Sequence, residues 1–523
     1  MQVQIYGGAN EIGGNQVFIS EGNKNFMFDF GVSFSDMKEF FSEYLKPRSL
    51  NGILDYLYLK LIPPIDGLYR NDLINRYKDI LSKPKYKIKP TTPNYVDAFF
   101  LSHAHLDHYK FMSFLKKNTP IYLNWTANSI LSYINDIKSD KLMRECLSFH
   151  EYWLLLPKSS GSGKMKRAKI DDYEDIDTTR KINILEDEHP IYLETDNGKC
   201  KVTQYQVDHS IPGSTAFIIE HDGRNIVYTG DFRKHGLHPE WTNRFIKMCK
   251  KASPIAIITD GTNVPSIKSY RDDNYHQREK SEHDIRKQSD KIIKNNSGLI
   301  LVNFPSRSLD RALMYYQLAK KHNRTFAVNT KIWKMIDYFR NKIEKTDDDF
   351  KDSFLKNYPL PEPEDEYLKP YLQRKKWGYF ELKDYKKFER TILKTDDYVT
   401  YKEIKQSQEN YLLYLDFYML KELIDIDPDP GKTVYLKSIT DPFDEEMIIK
   451  EQKLDAWLKH FQIRKTKTIH SSGHCRVNEL RDMLNEINAD NVIPIHTEHP
   501  ETFKEFGLSS EIIQPEIGKR YSF

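Results

Sequence analysis

The stretch Ala98–Lys110, AFFLSHAHLDHYK, places His103, His105, Asp107 and His108 within six positions, directly after an apolar run. Imidazole nitrogen and carboxylate oxygen, without thiolate, suit Zn2+ and tolerate Mn2+ or Mg2+. His103 and His105 stand two apart, so in an extended segment they point the same way. Asp107 and His108 follow on the next turn of the loop, in reach of a second ion. Three more apolar segments end alike: His209 follows VTQYQV, Asp231 follows NIVYTG and His496 follows NVIPI. A lone histidine after a strand is usually structural. Four strand ends that each deliver a His or Asp read as a site, because strands hold loop residues firmly where their ends converge.

His103, His105, Asp107, His108, His209, Asp231 and His496 are too many ligands for one tetrahedral ion. They suit two ions about 3.5–4 Å apart, with Asp231 bridging through its two oxygens. Metal binding can bring the pKa of a water down to about 7, and paired cations stabilise a crowded oxyanion such as a phosphodiester in its transition state. The residues therefore point to a metal-assisted hydrolase and leave its substrate open.

The segments that position these residues are strands and helices of a mixed protein. VQIYGG alternates, and NQVFIS and NFMFDFG flank the turn EGNK as a hairpin. Ser35–Pro93 is mostly helical in period, broken at Pro63-Pro64. GKCKVTQYQVDHS, STAFIIEHDGRNIVYTGDF and PIAIITDGTN read as strands, the middle one a hairpin around Asp222-Gly223. From about Lys234 to Pro442 helices and strands alternate; GLILVNF followed by SLDRALMYYQLAKKHN is a strand–helix unit, and YPLPEPEDEY is an exposed loop. KTKTIHSSGH and DNVIPIHTEH read as two closing strands. Lys158–Lys169, KSSGSGKMKRAK, is a basic connector without phosphate-loop spacing.

A chain of 523 residues exceeds one compact core, so two domains are expected. Lys plus Arg exceed Asp plus Glu by only +3, which neither announces nor excludes nucleic acid. The 33 tyrosines and 28 phenylalanines supply stacking surfaces if a single strand needs them. Four scattered cysteines, none in a C-x-x-C pair, argue against a disulfide framework and thiolate zinc, and fit a reducing cytosol. With no signal peptide and no membrane span expected, the chain reads as cytoplasmic.

HAHLDH, VDHSIPGS, YTGDF and the early FDFG resemble the motifs of the metallo-β-lactamase fold, an α/β sandwich with αββα layering. GGANEIGGN, HSIPGS, TDGTN, HSSGH and IPIHTEH resemble more closely the ribonuclease J branch of the β-CASP nucleases. There, a second α/β domain is inserted into the first. The resemblance implies a metallo-β-lactamase domain over 1–234 and 443–523, with an inserted β-CASP domain over 235–442. It implies one ion held by His103, His105, His209 and Asp231, and another by Asp107, His108, Asp231 and His496. Asp29 orients ligands from behind. His474 is the general acid and Asp260 its orienter, while His470, Ser472 and Gly473 receive a nucleic-acid phosphate.

The activity implied is two-metal hydrolysis of single-stranded RNA, 5′→3′ exonucleolytic with internal cuts also available. The family is linked to homodimers, but its small C-terminal domain does not follow His496 here, and the glycine-rich segment of its bacterial members is replaced by VYLKSITDPFDEE. The segments 35–93 and 143–188 are longer than a minimal version needs. The rivals are a single-stranded DNA nuclease in repair or defence, a small-molecule esterase or thioesterase, and a catalytically dead RNA-binding scaffold.

Overall fold

Period-two alternation in the first strands decides how the sheets stack. In this computed structural model, which describes all residues except 43, 49–51, 75–77, 90–91, 138–144, 150–151, 156–165, 170–179, 273–279 and 377–379, β1 (Gln2–Gly7), β2 (Gln16–Glu21) and β3 (Lys24–Phe28) form an antiparallel meander. Val17, Ile19, Phe26 and Phe28 enter one core, and Phe18 and Met27, one residue out of phase, enter another. Successive strand side chains point to opposite faces, so the sheet is covered on both sides.

β4 (Ala98–Phe100) and β5 (Ile121–Asn124) continue the sheet in parallel. A small hairpin of β6 (Tyr152–Leu155) and β7 (Lys166–Lys169) precedes β8 (Ile182–Leu185), which closes that edge. Most of the basic connector Lys158–Lys169, and much of 143–188, lies outside the described residues. Among the described residues of 34–93 are four short helices, Phe34–Phe40, Leu54–Tyr58, Asn71–Ile74 and Lys78–Leu81.

The second sheet takes β9 (Pro190–Thr195), β10 (Gly198–Gln206), β11 (Thr215–His221), β12 (Arg224–Tyr228) and β13 (Ala256–Asp260). Its inner face meets the first sheet: the Phe217 ring stands 5.3 Å from Phe28 and 5.6 Å from Phe100. Helices Pro239–Ala252 and Val477–Ile487 cover its outer face through Phe245, Ile246, Leu480 and Leu484. Helix, sheet, sheet and helix are thus layered as the sequence leads one to expect.

A third sheet, all parallel, holds β14 (Ile300–Asn303), β15 (Thr325–Asn329), β16 (Leu368–Tyr371), β17 (Tyr411–Tyr414), β18 (Val434–Lys437) and β19 (Arg464–Lys465). The chain then returns, β20 (Asn491–Ile495) and β21 (Glu511–Ile512) to the second sheet and β22 (Arg520–Ser522) to the first. Sheet membership changes after 260 and after 465. The apolar run of β13 belongs beside β12, and the polar break near 440 merely caps the helix Glu445–His460. KTKTIHSSGH is not a full strand either. Only Lys465 remains in a ladder, because the segment leaves the third sheet to reach His209.

An aromatic contact and a buried ion-pair cluster help fasten the third sheet's layer to the rest. Trp125 packs 5.4 Å from the Phe354 ring. Glu282 accepts from Arg233 at 2.9 Å and from Arg311 at 2.7 Å and 2.9 Å, all three buried. Burial by itself would raise the Glu282 carboxyl, but Arg311 and Arg233 hold it down at about 2. Its contribution to stability is thus present above its ordinary value of 4.5 and is lost as pH falls through about 2. Glu282→Ala strands two buried guanidinium groups and is expected to cost about 3–5 kcal/mol in urea unfolding near neutral pH; a change near zero would show that the clamp is not structural.

Candidate metal centre

In α/β sheets, ligands collect beyond the carboxyl ends of strands, and this chain places its polar residues there. Asp29 follows β3, His103 follows β4, His209 follows β10, Asp231 follows β12, Asp260 ends β13 and His496 follows β20. His105 caps the short helix Leu106–Tyr109, which carries Asp107 and His108. Its loop is stitched down by Phe30 N–H donating to His108 O at 2.7 Å and Asn15 N–H to Asp107 O at 3.0 Å. Gly31 is obligatory there, since a Cβ would lie 1.5 Å from Asp107 O.

Two donor groups share Asp231: one of His103, His105, His209 and Asp231, and one of Asp107, His108, Asp231 and His496. Within each, the donor atoms lie within 4.8 Å of one another. His105 Nδ1 is 3.1 Å from both His103 Nε2 and His209 Nε2. Asp231 Oδ2 is 3.1 Å from His108 Nε2 and 3.6 Å from His496 Nε2, and His496 Nε2 is 3.3 Å from Asp107 Oδ2. A third grouping, Asp231, Asp260, His474 and His496, meets the same spacing. Within it, His474 Nδ1 is engaged with Asp260 Oδ2 at 2.9 Å.

The charges call for cations. Burial and neighbouring imidazoles hold His103 and His209 well below the usual histidine range, and burial brings His105 down to about 4. All three present bare lone pairs at neutral pH. Burial opposes protonation of His108 and His496 as well, but Asp231 with Asp29 raises His108, and Asp231 with Asp107 raises His496 to about 9. Asp231, despite burial, is held well below the carboxylate range by His108, His496 and His474. Its Oδ1 is buried with no hydrogen-bond partner among the described residues. An orphaned carboxylate oxygen among converging imidazole nitrogens fits a divalent cation such as Zn2+, which these groups can hold by exchanging protons for metal.

Asp29 stands behind the first row. It accepts from Ser102 N–H at 2.7 Å, Ser102 Oγ at 2.6 Å, Tyr228 OH at 2.6 Å and His108 Nδ1 at 2.7 Å. This turns His108 Nε2 toward Asp231. Asp29 and His496 both adopt left-handed backbone, φ 58° and 55°, and His496 N–H is held by Gly8 O at 2.7 Å. Such conformations cost free energy and persist where the surroundings fix them.

The 470–475 segment divides. His474 joins Asp260; burial disfavours its charged form, yet Asp260 and Asp231 raise it above the ordinary value. Gly473 lies against His209, whose Nδ1 donates to Gly473 O, and a Cβ would come 2.9 Å from the His209 ring. Ser472 Oγ is occupied within the loop, accepting from Asn263 at 3.0 Å and His474 N–H at 3.2 Å. His470 sits beside the Arg233–Glu282–Arg311 clamp, with Nδ1 buried and without a hydrogen-bond partner among the described residues, and burial together with Arg311 lowers it to about 4. Ser102, Tyr228, Thr262 and Asn263 went unnoticed in the sequence. For the last two the cue was their place in TDGTN.

The α/β sheets are consistent with a metallo-β-lactamase-type fold, and the donor set fits divalent metal binding. Residues 460–505 match the family described as Zn-dependent metallo-hydrolase RNA specificity domain. Ribonuclease J 2 of Streptococcus pyogenes serotype M3 is 25% identical over 126 residues, 24% of this chain and 21% of that protein. The chain thus matches about a fifth of its relative's length. A crystal structure of a protein of unknown function from Enterococcus faecalis V583 shares the fold, with a TM-score of 0.66, 19% identity and 99% of each chain covered. By these matches the chain is similar to ribonuclease J 2 over part of its length. Among the described residues, no helix is long and apolar enough to cross a membrane.

Asp29→Asn is expected to lower zinc affinity about 10–100-fold in equilibrium dialysis. Unchanged affinity would remove Asp29 from any role in holding His108.

Proposed function

We propose that this protein is a two-metal nuclease that hydrolyses phosphodiester bonds in single-stranded RNA, acting 5′→3′ from a phosphorylated end. The observation that carries the reading is the Asp260–His474 pair. It stands beside the shared ligand Asp231, with His474 Nδ1 3.8 Å from Asp231 Oδ2, and His474 belongs to the segment matching an RNA specificity family. A small-ester hydrolase has no use for that pair, nor for the six-stranded sheet inserted between β13 and β20. We draw this insertion as the β-CASP-like domain. The strand would run between it and the two-sheet sandwich.

His103, His105, His209 and Asp231 would hold one ion and Asp107, His108, Asp231 and His496 the other. When bound, such ions activate water and stabilise negative charge on phosphate. Asp29 keeps His108 turned to its ligand position. Asp260 keeps the Nδ1 proton of His474 and favours its charged form. As water adds to phosphorus and the bond to the departing oxygen breaks, His474 hands that oxygen a proton. General acid catalysis of this kind contributes about 10²–10⁴-fold.

The test is a time course with 5′-labelled RNA and DNA of one sequence, each with a 5′-phosphate or 5′-hydroxyl, in Mn2+ or Zn2+. Labelled mononucleotide should appear at once from phosphorylated RNA. His474→Ala should slow it about 10²–10⁴-fold while metal content stays unchanged. Discrete internal products would make the enzyme an endonuclease, and preference for DNA would make the substrate DNA. No cleavage by metal-loaded protein would contradict the nuclease reading.

A further inference from the structure

Between the proton donor and the metal ligands stands a hydroxyl with no role so far. Thr262 Oγ1 is 2.6 Å from Asp260 Oδ1 and 2.7 Å from His496 Nδ1. The parallel pairing of β13 with β20 brings it there. Asp260 lies opposite Ile495, and Gly261 N–H donates to Ile495 O at 3.0 Å. A threonine hydroxyl has one proton and two lone pairs, so it cannot donate to both partners. An ionised carboxylate only accepts, and a hydrogen bond to it is charge-assisted. The hydroxyl proton therefore goes to Asp260 Oδ1, which also accepts Thr262 N–H at 2.9 Å. The other contact must then be donated by the imidazole, which puts the proton of His496 on Nδ1.

We infer that Thr262 is a positioning residue that sets the tautomer of His496 for metal binding and, through Asp260, ties that ligand to His474. With its proton on Nδ1, the neutral ring turns the Nε2 lone pair toward Asp107 and Asp231. Ligand histidines ordinarily donate their second N–H to a carboxylate, a carbonyl or water. Here a hydroxyl does this work, and the carboxylate it rests on also orients the acid. Asp260 Oδ2 receives His474 Nδ1 while Oδ1 receives Thr262, so one side chain serves both ends of the centre. Asn263, the next residue, anchors the acid's loop. Its Nδ2 donates to His474 O at 2.9 Å and Cys475 O at 3.1 Å. The inference rests on reading Asp107, His108, Asp231 and His496 as an ion-holding group, but not on the substrate.

Stepwise Zn2+ affinities of the metal-free protein, measured by competition with a chromophoric chelator, test it. Thr262→Val keeps the shape and removes the hydroxyl; one of the two steps should weaken about 10–100-fold while the other stays near wild type. Thr262→Ser should bind both ions like wild type. If Thr262→Val unfolds, as read by circular dichroism, Thr262→Ala provides the same comparison. Wild-type affinity in Thr262→Val or Thr262→Ala overturns the inference, as does a loss in Thr262→Ser equal to that in Thr262→Val. A wild-type protein that binds no zinc overturns the ion site itself, and this inference with it. Failure to cut nucleic acid leaves these affinities standing and sinks only the nuclease reading.

Discussion

One buried carboxylate governs the arrangement of everything near it. Asp231 Oδ2 is approached by five imidazoles, from 3.1 Å for His108 to 3.9 Å for His209. A carboxylate taken out of water costs several kcal/mol unless it is compensated. Here the compensation comes from groups brought in by strand ends of both sheets. His103 and His108 arrive from the first sheet, His209 and His496 from the second. The two-sheet sandwich exists in this form because β4, β10, β12 and β20 finish at one edge, and that edge is where Asp231 is held.

The surroundings answer to that constraint in layers. Asp29 is fixed by Ser102 and Tyr228, residues of the two facing sheets, so the ring of His108 is set by the packing of the sandwich itself. Arg233, two residues beyond Asp231, is bound by Asp208 at 2.7 Å and by Glu282, and Glu282 passes the connection to Arg311 under the third sheet. The inserted sheet is therefore coupled to the loop that carries Asp231. His474 reaches the centre from a segment leaving that same sheet, which explains why β19 stops at Lys465 and the chain crosses as irregular backbone.

Much of this was legible in the sequence, for a physical reason. His103, His209 and Asp231 fall three residues past the ends of their strands and His496 one past its own, so the convergence of these four side chains could be read from the segments before them. The hairpins around EGNK and Asp222-Gly223 were equally plain, because turn residues interrupt alternating runs. Long-range partners were not legible. Tyr228 meets Asp29 across 199 residues and Thr262 meets His496 across 234, and no local pattern records such pairs.

The central claim is that Asp231 joins two ions in one centre. Native mass spectrometry of the zinc-loaded protein tests it most directly, with Asp231→Asn alongside. The account predicts two zinc ions per wild-type chain and fewer than one in the variant, whose remaining amide can neither bridge nor balance their charge. A single ion in the wild type, or two ions retained by Asp231→Asn, would contradict it.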